Sequence, residues 1–331
     1  MKYLIFMLIF FVGKVNAQDA IFSQYFLVPE TINTSFTGSI QGTKLGAIHR
    51  SQWTNFGFKV NTNFAFIDTW IGKTNSGIGL TILNHTENKT KYSFTEINLN
   101  YALALQINND WYFRPSVSLG YGMKDYAFQN LLLEDQININ NGTINTSSID
   151  PTLLNSKKQF LDFSSSILFN NEKSWIGLTV RHLNKPNISM TDEGNTPLDI
   201  FVSIHSAIEF KLFKFSRDRY SDKNSLYFLS NFMKQSQYSR LDIGSQYVYD
   251  NKFSVGFLVA SNPLKRDSKR DVINSINIFA ALKWEGFRYG YSYDANMSHI
   301  GATGGVHEFS ISYDFTLNSR SIDRYKCIRH F

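Results

Sequence analysis

Polar and apolar residues alternate again and again over stretches of ten to twelve positions in this 331-residue chain, and after residue 17 no apolar run is long enough to cross a membrane as a helix. Alternation with a period of two sends successive side chains to opposite faces, which is the signature of strand and not of helix. In residues 94–106, Ile97, Leu99, Tyr101, Leu103 and Leu105 share one parity, while Glu96, Asn98, Asn100, Ala102, Ala104 and Gln106 share the other. Residues 273–284 and 287–294 repeat the pattern, with Ile276, Ile278, Leu282 and Trp284, then Phe287, Tyr289, Tyr291 and Tyr293, on the apolar side. One face suits lipid and the other water.

Fourteen such segments are expected, starting near residues 42, 59, 76, 92, 111, 158, 174, 199, 225, 239, 252, 272, 287 and 305. An even number fits a bacterial single-chain barrel. The connections are unequal. Those at 108–110, 170–173, 250–251 and 285–286 are tight turns and all follow even-numbered segments, whereas the long ones, 130–157, 185–198, 262–271 and 295–304, follow odd-numbered segments. Short turns at one end and long loops at the other are the barrel asymmetry, with the short end periplasmic. The connection near 235–238 is the exception, short where a long one is expected.

The first seventeen residues explain how such a chain reaches a membrane. Lys2, an apolar core over 3–12 and Val15-Asn16-Ala17 form a secretory signal with cleavage expected after Ala17. The one cysteine, Cys327, lies near the end, so no internal disulfide or cysteine metal site supports the exported fold. Aromatic content is 15% with 29 Phe and 17 Tyr, which suits membrane-interface girdles. The net charge of +6 is modest and scattered, so a nucleic-acid groove is not expected. Together these features predict an all-β fold: a 14-stranded antiparallel transmembrane outer-membrane β-barrel with a packed N-terminal segment. The expected division is a signal peptide at 1–17, a periplasmic or plug segment at 18–40, the barrel at 41–316 and a basic periplasmic tail at 317–331. A soluble β-sandwich also alternates, but strands of this length favour the barrel. Fourteen strands tilted as in known barrels close to a cylinder roughly 28 Å across, wide enough for a small plug or an extended peptide.

No catalytic constellation emerges. His49, His85, His182, His205, His299, His307 and His330 are dispersed, and only His299 and His307 beside Asp294 can be drawn together on paper as an acid-base set. No cofactor or metal is expected. Arg50 and Trp53 close the first strand, with the guanidinium suited to a headgroup or to a lumen carboxylate and the indole to the interface. Gly304 and Gly305 precede His307 and Glu308 and read either as a bend into the last strand or as a rim contact.

Several motifs, in order, resemble the PorP/SprF family of type IX secretion membrane proteins of Bacteroidota. These are Phe22-Ser23-Gln24-Tyr25, then Pro29, then Asn33-Thr34-Ser35-Phe36-Thr37-Gly38; Arg50-Ser51-Gln52-Trp53; Tyr293-Asp294; Gly305-Val306-His307-Glu308; and the ending Cys327-Ile328-Arg329-His330-Phe331. Where the family carries Asp-Pro, Asn-Pro-Ala and Cys-Pro-Arg-Phe, this chain has Asp19-Ala20, Asn33-Thr34-Ser35 and a tail without proline, so turns with a fixed φ are lost. The resemblance implies a non-enzymatic outer-membrane accessory of secretion or gliding that binds and anchors the C-terminal domain of a secreted adhesin. Its expected partners are that domain, the type IX translocon, periplasmic components of the machinery and outer-membrane lipid. The motif residues are the candidate binding residues, and Cys327, Arg329 and Phe331 the candidate tail contact. A small-molecule diffusion or uptake channel is the alternative. The aromatic stretch at 18–39 is too apolar for a free terminus, so Phe22, Tyr25 and Phe26 are expected to be buried at the periplasmic mouth or in the lumen, with Pro29 and Gly38 turning the chain into the first strand.

Overall fold

The computed structural model describes residues 19–40, 42–55, 57, 59–126, 132, 134–139, 141–148, 157–190, 194–210, 224–264, 273–297 and 303–316. The signal segment and the tail carrying Cys327, Arg329 and Phe331 lie outside them. The wall is built from β1 (Gly42–Gln52), β2 (Val60–Ile71), β3 (Ser76–Glu87), β4 (Ser93–Leu103), β5 (Tyr112–Asp125), β6 (Lys157–Asn170) and β7 (Trp175–Arg181). It continues through β8 (Phe201–Phe210), β9 (Ser225–Gln235), β10 (Tyr238–Tyr249), β11 (Phe253–Ser261), β12 (Ile273–Trp284), β13 (Phe287–Asn296) and β14 (Val306–Thr316). No strand starts more than two residues from its expected position.

Every strand pairs antiparallel with its sequence neighbours, and β1 also pairs with β14 from Gly42↔Thr316 to Gln52↔Val306. The fourteen strands therefore form a closed cylinder without an edge, which satisfies the backbone in an apolar medium. Tight turns such as 285–286, where Glu285 and Gly286 both have positive φ, sit at one end. The long connections sit at the other, which in barrels of this kind faces the exterior. One connection among the described residues departs from the pattern: Gln235 and Tyr238 pair across a two-residue turn at the long-loop end. The polar segment after β5 contains a small hairpin, Ile137–Asn138 with Thr143–Ile144.

The two strand faces separate as the alternation requires. Ile67, Leu80, Leu99, Val117, Phe163, Ile204, Phe257 and Ile278 point outward and are exposed, with Trp111 and Trp284 near the short-turn rim. Lys44, Thr62, Asn100, Arg114, Asp162, Asn231, Asp242 and Ser292 point inward and are buried. Burial of these polar groups inside a barrel wide enough to hold water means that something fills the lumen.

Placing a charge on the outward face should be costly. Leu99, 51% exposed in the middle of β4, would face hydrocarbon. Leu99→Arg is expected to lower the unfolding free energy in lipid bilayers by about 2–4 kcal/mol, read from denaturant titration. An unchanged midpoint would refute the assignment of that face to lipid.

Candidate functional site

The lumen is filled by the chain's own N-terminal segment. Asp19 lies at the long-loop end, where its backbone N–H donates to Gln235 Oε1 at 2.8 Å and its carboxylate meets His182 Nε2 at 2.9 Å. From there the chain descends through Phe26, whose ring packs on Phe279 of β12 at 4.2 Å between centroids, to Gly38 beside Gly77 at the start of β3. It then enters β1 at the short-turn end. The segment thus crosses the barrel lengthwise. Phe26, Leu27, Val28 and Phe36 are each at most 1% exposed, and burying side chains of this size stabilises the packing by about 1.5–3 kcal/mol apiece.

The local conformation follows from the sequence. Pro29, with its preset φ, opens the 3-10 turn Pro29–Thr31. Asn33 caps the turn Thr34–Phe36 by accepting from Ser35 N at 2.7 Å, and its amide nitrogen donates to Ile167 O at 3.1 Å. Thr34, standing where the family has proline, instead places its hydroxyl 2.8 Å from Ser116 Oγ. Gly38 has φ +64°, and a Cβ there would lie 2.5 Å from Gly77 Cα, so both backbone conformation and space exclude a side chain.

Charged groups of the wall fix this segment in place. Glu308 of β14 accepts from the backbone N–H of Ser23 at 2.9 Å and of Gln24 at 3.0 Å, and pairs with Arg50 of β1. Asp294 of β13 accepts from Ser23 Oγ at 2.6 Å and lies 3.6 Å from Arg50 Nη1. Gln24 completes the set, donating to Ser292 Oγ at 3.1 Å and accepting from Ser310 Oγ at 2.6 Å, while Gln52 accepts from Arg50 Nε at 2.7 Å. Lower down, Lys44 pairs with Glu30 at 2.7 Å, and Arg114 donates to the carbonyls of Ser35 and Thr37 at 2.8 and 2.7 Å. A buried charge left unpaired is strongly unfavourable, so each of these groups needs its partner.

Most residues singled out in the sequence therefore meet in one place. Ser23, Gln24, Arg50, Gln52, Asp294 and Glu308 form a single network; Phe22 and Tyr25 are buried beside it, and Pro29, Asn33 and Gly38 shape the segment below. Trp53 sits at the rim with φ 59° and its N–H donating to Gly305 O at 3.3 Å. Tyr293 and His307 face outward instead, where His307 Nδ1 contacts Tyr291 Oη at 2.9 Å. Asp294 and His307 thus lie on opposite faces of the wall, which separates the acid-base set drawn from the sequence; His299 lies outside the described residues. Sequence motifs alone did not mark Glu30–Lys44, Arg114 or Asp19–His182. Their signal was nevertheless present, since a charged residue at an inward-facing strand position demands a buried partner.

The upper latch titrates. Burial penalises charge on both Asp19 and His182, but their attraction and hydrogen bond outweigh it; Asp162, whose Oδ1 lies 3.1 Å from His182 Nδ1, also favours the imidazolium, and Arg181 and Gln235 favour the Asp19 carboxylate. Asp19 is held at about 2 and His182 raised to about 10.

Two outcomes follow. Glu308→Gln should expose residues 19–40 to added protease in detergent, because the Ser23 and Gln24 N–H groups lose a charged acceptor and Arg50 loses its nearest carboxylate, keeping only Asp294 at 3.6 Å and Gln52; a digestion pattern identical to that of the parent would refute the anchoring role. The contribution of His182 is complete below about pH 6.5 and is lost as pH rises through about 10, while that of Asp19 is complete above about pH 3.9 and is lost as pH falls through about 2. The stability gap between the parent and His182→Asn, measured by thermal unfolding, should hold from about pH 4 to 6.5 and narrow steadily toward pH 10; a gap that widens above neutrality would contradict the ion pair.

Among solved structures the chain is similar to a TodX monoaromatic hydrocarbon channel variant lacking segments S2 and S3, at 10% identity and a TM-score of 0.49, covering 87% of this chain and 94% of that one. It is also similar to the KdgM porin, at 10% identity and a TM-score of 0.37, covering 82% of this chain and 99% of that one. No curated protein matches the sequence. The family of type IX secretion system membrane proteins PorP/SprF matches residues 14–313, which include the whole of the Ser23–Arg50–Asp294–Glu308 network. This outer-membrane barrel therefore belongs to the PorP/SprF family and serves type IX secretion.

Proposed function

We propose that the protein is a non-enzymatic anchoring accessory of type IX secretion and gliding, whose outward mouth binds the C-terminal domain of a secreted surface adhesin and holds it at the cell surface. The observation that carries this reading is the occupied lumen. Residues 19–40 are packed on apolar contacts, buried ion pairs and hydrogen bonds from one end of the barrel to the other. A barrel filled in this way acts through its mouths and not through a passage, which favours the anchoring reading over the diffusion or uptake channel. The short-turn end, from which the chain continues beyond Thr316, is the face offered to translocon and periplasmic components. There the basic tail with Cys327, Arg329 and Phe331 would make its contact. Signal cleavage after Ala17 belongs to the same reading, since it frees the chain at the end where Asp19 is latched.

Deleting the gene should remove one large adhesin from the cell surface while other type IX substrates are still secreted; an unchanged surface proteome would refute anchoring. In planar bilayers the intact chain should show no porin-sized conductance, whereas a chain lacking residues 19–36 should conduct. Porin-like conductance from the intact protein would favour the channel.

A further inference from the structure

At the long-loop end a cavity of about 580 Å³ opens above the N-terminal segment. Its walls are aromatic: Trp53, Tyr92, Tyr126 and Tyr238, with the Tyr92 and Tyr126 rings 4.8 Å apart. Asp19, Ala20 and Ile21 of the N-terminal segment also line it. We propose that this vestibule is a peptide seat, in which Arg240 binds a carboxylate of an extended acidic segment and the open backbone of Ala20–Ile21 pairs with it.

Charge bookkeeping within the cavity points to the anion. Glu87 is engaged by the backbone N–H groups of Lys89 and Thr90 and by the Thr90 hydroxyl. Asp19 is engaged by His182 and Gln235, and Arg50 by Glu308 and Gln52. Arg240 differs. Although only 8% exposed, it lines the cavity; its Nε donates to Asp242 Oδ1 at 2.7 Å, and no described residue pairs with Nη1 or Nη2. A guanidinium held in place by one carboxylate with its other edge open is arranged to receive a second, in the fork geometry that carboxylates fill.

These N-terminal residues distinguish peptide from sugar. Residues 19–22 run without helix, turn or strand pairing, and no backbone group of Ala20 or Ile21 bonds to a described residue. A short stretch whose backbone donors and acceptors make no bond to described residues can pair with an added strand, with side pockets for alternate residues. Tyrosine and tryptophan walls supply apolar contact at low conformational cost. The seat rests on the anchoring reading for its biological occupant, but its chemistry is testable apart from it.

The test uses the full chain in detergent and a synthetic pool of seven-residue peptides, either with a free C-terminal carboxylate and Asp or Glu in the sequence, or amidated and free of acidic residues. Retained peptides are identified by mass spectrometry. The acidic pool should be enriched, Arg240→Gln should weaken its binding by about thirtyfold or more, and Arg240→Lys should fall between the two. Because Arg240 also pairs with Asp242, a Tyr92→Ala, Tyr238→Ala double variant, which leaves that pair intact, provides the second arm and should also lose enrichment. Equal retention of both pools or unaltered binding by Arg240→Gln would overturn the seat. The two readings fail separately. If deleting the gene strips an adhesin from the surface but Arg240→Gln cells keep it, anchoring stands and the seat falls. If acidic peptides bind through Arg240 but the surface proteome ignores the deletion, the seat stands and anchoring falls.

Discussion

Glu308 is the point on which the interior depends. It sits on β14, the strand that closes the cylinder against β1, and its carboxylate accepts from two consecutive backbone N–H groups of the N-terminal segment while pairing with Arg50 on β1. One side chain therefore ties the closing seam to the chain that fills the lumen. The arrangement satisfies two backbone donors and a buried guanidinium together, and the loss of any partner leaves another uncompensated in a dry interior. The same logic recurs below, where Arg114 binds the carbonyls of Ser35 and Thr37 and Lys44 binds Glu30.

This fixing gives the molecule its polarity. The N-terminal segment is latched at the long-loop end by Asp19 and His182 and joined covalently to β1 at the short-turn end, so it is held at both ends and packed between them. Its uppermost residues line the aromatic vestibule. The segment thus fills the barrel between its two ends, and the vestibule lies above it at the long-loop end.

Much of the fold was legible before any coordinates. Alternation located all fourteen strands because a strand with one face on lipid and one on a polar interior must alternate, as Leu99 and Asn100 do. Turn asymmetry grouped most of the tight turns at one end of the barrel and most of the long connections at the other. The site was partly legible: Ser23, Gln24, Arg50, Asp294 and Glu308 were visible as motif residues, but nothing in their order along the chain showed that one network contains them, since the hydrogen bond from Ser23 to Glu308 spans 285 positions. His307 illustrates the limit. It adjoins Glu308 in sequence yet faces the opposite side of the wall, because neighbours in a strand point apart. Thr34 likewise looked like a loss of turn geometry, whereas its hydroxyl binds the wall at Ser116.

The sequence by itself determined the membrane barrel, its strand count and the need for an aromatic N-terminal segment to be buried, because these rest on local periodicity and on the cost of leaving apolar side chains in water. Tertiary structure alone decided where that segment runs, which charges meet within the lumen and that Arg240 keeps an open edge toward the vestibule. Those outcomes depend on closure of the cylinder, which brings β1 beside β14 and sets residues hundreds of positions apart within hydrogen-bonding distance.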